Sequence, residues 1–245
     1  MSAVADAPAP AFYALRPGGW RDLVTILHPP YTAWNLANVA IGAALAPHFH
    51  LDRLGATLAA FFLAVGISAH ALDELNGRPL GTRLSNASLI ALATLSLAGA
   101  LAIGIAAAVI VSPLIVPLIA FGALAVPAYN LELFKGRFHN PVALAVTWGA
   151  FPAFTGYFFQ SLEIRAPGIL AALACALLTL AQRQLSTPAR QLRRRTQSLQ
   201  GVQQLRDGSR VELTVPGLLA PLEGALKTIA GGVILLAVAL VLLRV

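Results

Sequence analysis

Three polar stretches interrupt an otherwise apolar chain, and the first combines carboxylates with an imidazole. His70, Asp73 and Glu74 are spaced i, i+3 and i+4, a spacing that puts them on one face of a helix. Two adjacent carboxylates can hold a divalent cation, and oxygen ligands suit magnesium. We therefore predict a Mg²⁺ ion on Asp73 and Glu74, with Arg78 nearby to bind an anionic substrate. The alternative is that the two carboxylates cap the helix end and pair with Arg78 or Arg83.

The second polar stretch ends a later apolar segment. Tyr129, Asn130 and Lys135 are its polar groups, and an Asn-Pro turn follows at 140–141. We predict that Tyr129 and Asn130 contact substrate and that the Lys135 ammonium opposes negative charge during catalysis. Anchoring at the membrane interface is the alternative for the same residues.

The third polar stretch, residues 182–195, is strongly basic. A helix beginning at Pro188 would place Arg190, Arg193 and Arg194 on one face. Guanidinium groups bind phosphate or diphosphate through two hydrogen bonds at once. Together with Arg183, these arginines form a predicted diphosphate site. The alternative is an amphipathic segment that lies on anionic lipid.

Composition places these stretches in a membrane protein. Of 245 residues 58% are hydrophobic and only 11% are charged, with a mean hydropathy of +0.75. An ordinary soluble domain carries roughly 25% charged residues. So few charges cannot cover a water-exposed surface, which favours a surface that faces lipid. The single cysteine, Cys175, excludes an internal disulfide.

Apolar runs predict an all-α fold, a polytopic transmembrane helical bundle of about seven spans. The runs lie at about 32–50, 53–74, 86–111, 113–134, 141–162, 166–185 and 225–243. We interpret residues 1–30 as a cytoplasmic tail and interfacial lead-in. Residues 31–245 then form a single bundle with a basic cytoplasmic excursion at about 186–216.

The distribution of basic residues predicts the orientation. With the N-terminus in the cytoplasm, only Arg53, Arg165 and Arg244 are outside, and 14 of the 17 Lys and Arg residues are inside. The net charge of +7 then indicates anionic lipid headgroups as partners rather than nucleic acid. We predict an integral protein of a bacterial cytoplasmic membrane.

The order of these parts resembles the UbiA-type membrane prenyltransferase superfamily over about residues 20–190. His70, Asp73-Glu74 and Arg78-Pro79-Leu80 resemble a shortened form of its first Asp-rich motif. The pattern of Tyr129, Lys135, Asn140 and Trp148-Gly149 resembles the turn between its fourth and fifth spans. The polar Asn of its first span corresponds to Asn35 or Asn38.

Two departures from the family pattern stand beside this resemblance. The second Asp-rich motif is missing, and Gln182-Arg183-Gln184 and the arginines after it take its place. The family usually has nine spans, against the seven predicted here.

The resemblance implies transfer of an isoprenoid from a diphosphate to an acceptor at the cytoplasmic face. Catalytic roles would fall to His70, Asp73, Glu74 and Lys135. Substrate binding would fall to Asn35, Asn38, Arg78, Tyr129, Asn130, Arg183, Arg190, Arg193 and Arg194. The partner would be an isoprenoid diphosphate or another membrane lipid.

Three alternatives remain open. The first is a non-catalytic subunit of a larger membrane complex that binds a lipid, quinone or pigment. The second is an isoprenoid cyclase that uses the same polar stretches. The third is a transporter, which ranks last because the spans hold few polar residues at mid-membrane depth.

Overall fold

A computed structural model describes residues 9–245, so the first eight residues of the predicted tail and lead-in lie outside the described residues. The elements in chain order are α1 (Trp20–Ile26), α2 (Pro29–Ala44), α3 (Leu51–Leu75), α4 (Asn86–Ile110), α5 (Pro113–Asn130), α6 (Pro141–Ser161), α7 (Ala166–Arg194), β1 (Val202–Gln204), β2 (Arg210–Glu212) and α8 (Val215–Leu242). The prediction of an all-α helical membrane bundle is confirmed at this level.

Six helices of the described chain, α3 to α8, are long and apolar enough to cross a membrane. They lie at six of the seven predicted spans. The first predicted span corresponds to α2, which has only 16 residues. At 1.5 Å per residue α2 is about 24 Å long, less than the roughly 30 Å of a hydrocarbon core. A count of seven spans therefore stays a prediction.

Side-chain caps determine where three of the helices begin. The Ser85 Oγ accepts a hydrogen bond from the Ser88 N–H at 3.0 Å before α4, and Asn140 caps α6 in the same way at 2.9 Å. The Thr214 Oγ1 accepts from the Gly217 N–H at 3.1 Å before α8. Each cap satisfies one of the N–H groups that the first turn of a helix leaves unpaired.

The prediction that a helix begins at Pro188 is wrong. Helix α7 runs without a break from Ala166 to Arg194 and contains Pro188 in its interior. The polar segment after it forms a short antiparallel hairpin, in which Val202 pairs with Glu212 and Gln204 with Arg210.

Helices α2 and α6 pack closely against each other because glycines lie at their contact. A Cβ atom on Gly42 would lie 1.8 Å from the carbonyl oxygen of Ala153, and one on Gly156 would lie 2.2 Å from that of Val39. Small residues at such crossings give the close backbone packing that holds membrane helices together.

Two helices contain π-helical segments, at Phe62–Ala69 in α3 and at Ala145–Ala150 in α6. Such segments are rare and occur frequently at functional sites. The first ends directly before His70, and the second contains Trp148. Both therefore shape the polar end of the bundle described next.

Candidate functional site

A cavity of about 680 Å³ opens at one end of the bundle. Helices α3, α5 and α7 end there and contribute Asp73, Asn130 and Arg190, whereas α2 begins there with Tyr31. Alternating helix directions thus bring together residues from the three polar stretches, although they are far apart in sequence.

Nine of the predicted site residues line this cavity. They are Asn35, His70, Asp73, Tyr129, Asn130, Arg183, Arg190, Arg193 and Arg194. Four others lie elsewhere: Asn38, Glu74, Arg78 and Lys135.

Glu74 points away from the cavity into the loop that follows α3. Its carboxylate is buried and accepts hydrogen bonds from the Leu80 N–H at 2.9 Å, from the Thr82 N–H at 2.8 Å and from the Thr82 hydroxyl at 2.9 Å. Consecutive helix positions do not face each other, so Asp73 faces the cavity while Glu74 holds the loop. A magnesium ion held jointly by Asp73 and Glu74 does not fit this arrangement.

The rest of the described chain offers no other metal site in place of Asp73 and Glu74. Within residues 9–245 no group of three or more His, Cys, Asp or Glu side chains is placed to hold a metal ion. Use of magnesium stays a prediction, and no step proposed below depends on it.

Glu74→Gln should lower the free energy of unfolding by about 1–3 kcal/mol, because the amide group cannot accept all three hydrogen bonds. Asp73→Asn, one residue earlier, should change it by no more than about 0.5 kcal/mol. SDS-induced unfolding in mixed micelles measures both values. Equal losses in the two variants would contradict the separate roles of these carboxylates.

Arg78 organises the same loop and does not reach the cavity. Its guanidinium donates to the Leu84 carbonyl oxygen at 2.6 Å and to the side chain of Asn86. Lys135 is exposed in the loop between α5 and α6, where it has a positive φ of 59°. Asn38 is fully buried, and its amide donates to the Trp148 carbonyl oxygen at 3.3 Å.

Arg193 and Arg194 line the cavity but already have partners. The Arg193 guanidinium pairs through two nitrogens with the carboxylate of Glu223 on α8, and it also donates to the Ala9 carbonyl oxygen at 3.2 Å. Arg194 donates to the Pro10 carbonyl oxygen at 2.9 Å. Their role in this structure is to hold α8 and the N-terminal segment against α7.

Residues 9–15, which we call the strap, cross the mouth of the cavity. The Phe12 ring lies 5.0 Å from the Lys227 ammonium, and the Tyr13 hydroxyl is 2.8 Å from His28 Nδ1. The Leu15 N–H donates to the Thr25 hydroxyl at 3.0 Å. The Ala- and Pro-rich sequence of this region carried no signal for this role.

His28 is the buried partner of the strap, and its imidazole is stacked on that of His70 with centroids 4.2 Å apart. Burial, and then the neighbouring His70, hold the pKa of His28 well below its ordinary value. The folded protein therefore keeps His28 neutral, whereas the unfolded chain takes up a proton near pH 6.5.

Stability should consequently fall as the pH is lowered through about 6.5, since unfolding then takes up a proton. Between about pH 7.5 and pH 5.5 we expect His28 to account for a loss of about 1 kcal/mol. His28→Gln removes the titrating group, so its unfolding free energy should depend less on pH. The same pH dependence in both proteins would contradict this assignment.

Of the three cavity arginines whose side chains have no partner within residues 9–245, Arg195 is exposed, and the other two are Arg183 and Arg190. They are half-buried and two turns apart on one face of α7. Neither guanidinium forms a hydrogen bond or ion pair with any residue between 9 and 245. The carboxylate of Asp73 lines the same cavity and also makes no hydrogen bond within the described part of the chain. The site is thus a basic cavity that can accept an anion.

Several lining residues were missed by the sequence analysis, including Tyr13, His28, Tyr31, Trp34 and Thr179. A signal existed for Thr179, which lies four residues before Arg183 and so on the same helix face. The aromatic residues carried no comparable signal, because aromatic rings at this depth are also typical of interface anchoring.

The chain matches no family model, no curated protein and no solved structure. Its functional interpretation therefore depends on the geometry of this cavity and on the family resemblance in its polar stretches.

Proposed function

We propose that this protein is a UbiA-like membrane prenyltransferase that binds an isoprenoid diphosphate in the cavity. The observation that carries the proposal is the pair of half-buried, unpartnered guanidinium groups of Arg183 and Arg190, which line one cavity. A diphosphate supplies the charge and the oxygen atoms that two guanidiniums bind through paired hydrogen bonds.

A second, apolar pocket lies close to this site and offers an environment suited to part of an isoprenoid tail. Val65 and Trp148 line the cavity, and one turn further along α3 and α6 a second pocket of about 110 Å³ begins at Phe61 and Phe151. Nearly all side chains around this second pocket are apolar. A charged head at the membrane surface and an apolar tail below it match the two environments.

In the proposed reaction the bond between C1 of the prenyl group and the diphosphate oxygen breaks, and its electron pair leaves with the diphosphate. Arg183 and Arg190 oppose the charge that develops there. The acceptor supplies the electron pair of the new bond to C1 and loses a proton. We assign that proton to Asp73, a carboxylate that lines the cavity and has no hydrogen-bond partner within residues 9–245.

A non-catalytic lipid-binding subunit is the second candidate. It is favoured by the inward hydrogen bonding of Glu74, which leaves Asp73 as the only member of the acidic pair that faces the cavity. A protein that only binds an anionic lipid needs the arginines but no second carboxylate.

One assay distinguishes the transferase from the binding subunit. Purified protein in zwitterionic nanodiscs is incubated with a panel of allylic diphosphates and candidate acceptors. Diphosphate release that depends on an acceptor supports the transferase. No release, together with an isoprenoid lipid that stays bound after chelation of metal ions, supports the binding subunit. Failure to bind any of the diphosphates would refute the transferase, and the absence of any retained lipid as well would refute both.

We further propose that the cavity faces the cytoplasm. Arg53 lies in the first turn of α3, Arg165 directly precedes α7, and Arg244 follows the end of α8. All three therefore lie at the end of the bundle opposite to the cavity. The majority of the basic residues then lie on the cytoplasmic side.

Two exposed positions in opposite loops test this orientation in a Cys175→Ser background. In intact bacterial cells an impermeant maleimide should label Glu163→Cys and leave Lys135→Cys unlabelled. Labelling at 135 and protection at 163 would reverse the proposed orientation.

A further inference from the structure

In addition to His28 Nε2 next to the strap, the inner part of the cavity contains three buried polar atoms without partners. They are Trp34 Nε1, Asn35 Oδ1 and Thr179 Oγ1, and no residue between 9 and 245 hydrogen-bonds to any of them. The three residues are 5%, 3% and 4% exposed, yet all line the cavity. An unsatisfied buried polar group is costly, so these atoms call for a ligand that supplies their missing partners.

The hydrogen-bonding role of two of these atoms is fixed. The Asn35 amide nitrogen donates to the Trp148 carbonyl oxygen at 3.2 Å, and since a carbonyl only accepts, Asn35 Oδ1 remains as an acceptor. Trp34 Nε1 carries a hydrogen and can only donate. The Thr179 hydroxyl can do either.

Close packing of α6 against α2 and α7 places these residues in the same part of the bundle. Asn35 is bonded to the carbonyl of Trp148, and a Cβ on the next residue, Gly149, would lie 2.7 Å from Thr179 Oγ1. Trp34 packs in one hydrophobic cluster with Cys175, which lies one turn before Thr179 on α7. Asn38 Oδ1 is also unpartnered but does not line the cavity.

We propose that Trp34, Asn35 and Thr179 form a hydroxyl site, a binding site for the alcohol group of a neutral amphiphile. A single hydroxyl group donates to Asn35 Oδ1 and accepts from Trp34 Nε1, which satisfies the two fixed roles together. None of the three side chains carries a charge, and Asn35 Oδ1, which only accepts, cannot bond to an unprotonated diphosphate oxygen. Thr179 precedes Arg183 by one turn, so the hydroxyl site lies deeper in the bundle than the proposed diphosphate site.

Farnesol and farnesyl methyl ether form a matched pair of probes, because the ether accepts but cannot donate a hydrogen bond. In equilibrium dialysis with nanodiscs, corrected by empty nanodiscs, farnesol should bind about 3- to 10-fold more tightly than the ether. Trp34→Phe and Thr179→Val should each reduce farnesol binding by a similar factor. Trp20→Phe, an exposed change in α1 outside the cavity, should leave it unchanged.

Equal binding of the alcohol and the ether by the unaltered protein would overturn the hydroxyl site, whether or not any variant folds. Farnesol binding that neither Trp34→Phe nor Thr179→Val weakens would overturn it as well, and would leave only ordered water at these atoms. Binding of inorganic pyrophosphate, measured in parallel, reports separately on Arg183 and Arg190. The hydroxyl site and the proposed function can therefore fail independently.

Discussion

Replacing both Arg183 and Arg190 by glutamine should weaken the binding of inorganic pyrophosphate by at least about 100-fold, and each single change by about 10-fold. A hydrogen bond to a charged group contributes about 1.5–3 kcal/mol, and each 1.4 kcal/mol is a factor of ten in affinity. Isothermal titration in zwitterionic nanodiscs measures the affinity without competition from anionic lipid headgroups.

Arg206 and Arg210 provide a matched control, because they lie in the exposed hairpin outside the cavity. Arg206→Gln with Arg210→Gln removes the same net charge and should change pyrophosphate affinity by less than about twofold at physiological salt, where distant exposed charges are screened. If this pair of changes weakened binding as much as the cavity pair, the anion would be attracted by the basic surface in general. The proposed site would then be refuted.

Gly42→Ala should lower the free energy of unfolding by about 3 kcal/mol, at the upper end of the usual cost of overpacking a core. Its new Cβ would lie 1.8 Å from the backbone oxygen of Ala153, which cannot rotate away. Helices α2 and α6 must therefore separate. The separation also breaks the hydrogen bond between Asn35 and the Trp148 carbonyl, so farnesol binding should fall with stability.

Gly55→Ala and Gly224→Ala serve as controls, because they report the intrinsic effect of replacing glycine by alanine in a helix. A Cβ at either position meets no atom within 4 Å, and both residues are exposed helix positions. Alanine there should leave stability unchanged or raise it by up to about 1 kcal/mol. SDS-induced unfolding should thus show a lower free energy of unfolding for Gly42→Ala and an equal or higher one for Gly55→Ala and Gly224→Ala. A loss at Gly42 no larger than at Gly55 would contradict close packing of α2 on α6.

The class of protein and the positions of most helices could be predicted from the order of residues alone. Long apolar runs can only be stable in lipid as helices, because every backbone polar group must then be paired within its own segment. The predicted runs at 86–111 and 141–162 accordingly agree with α4 and α6 within a residue or so. Because successive helices alternate in direction, the three polar stretches were also expected at one end.

The length of α7 was harder to predict from local signals. Pro188 is a common first residue of a helix, yet here it continues one that began at Ala166. Burial of Ser186 and Ala189 against the bundle shows that tertiary packing continues across this point. Packing of that kind outweighs the local preference of proline, and a single sequence does not reveal it.

Which polar side chains face the cavity depends on contacts that no sequence pattern reveals. Asp73 and Glu74 are equivalent on a sequence pattern, but the loop that folds back on α3 presents its N–H groups to Glu74 alone. Arg193 and Arg190 are equally alike, but Glu223, 30 residues further along the chain, pairs with Arg193 only. Contacts between distant segments determine the partners of these side chains, so sequence spacing identified the candidates and three-dimensional packing selected among them.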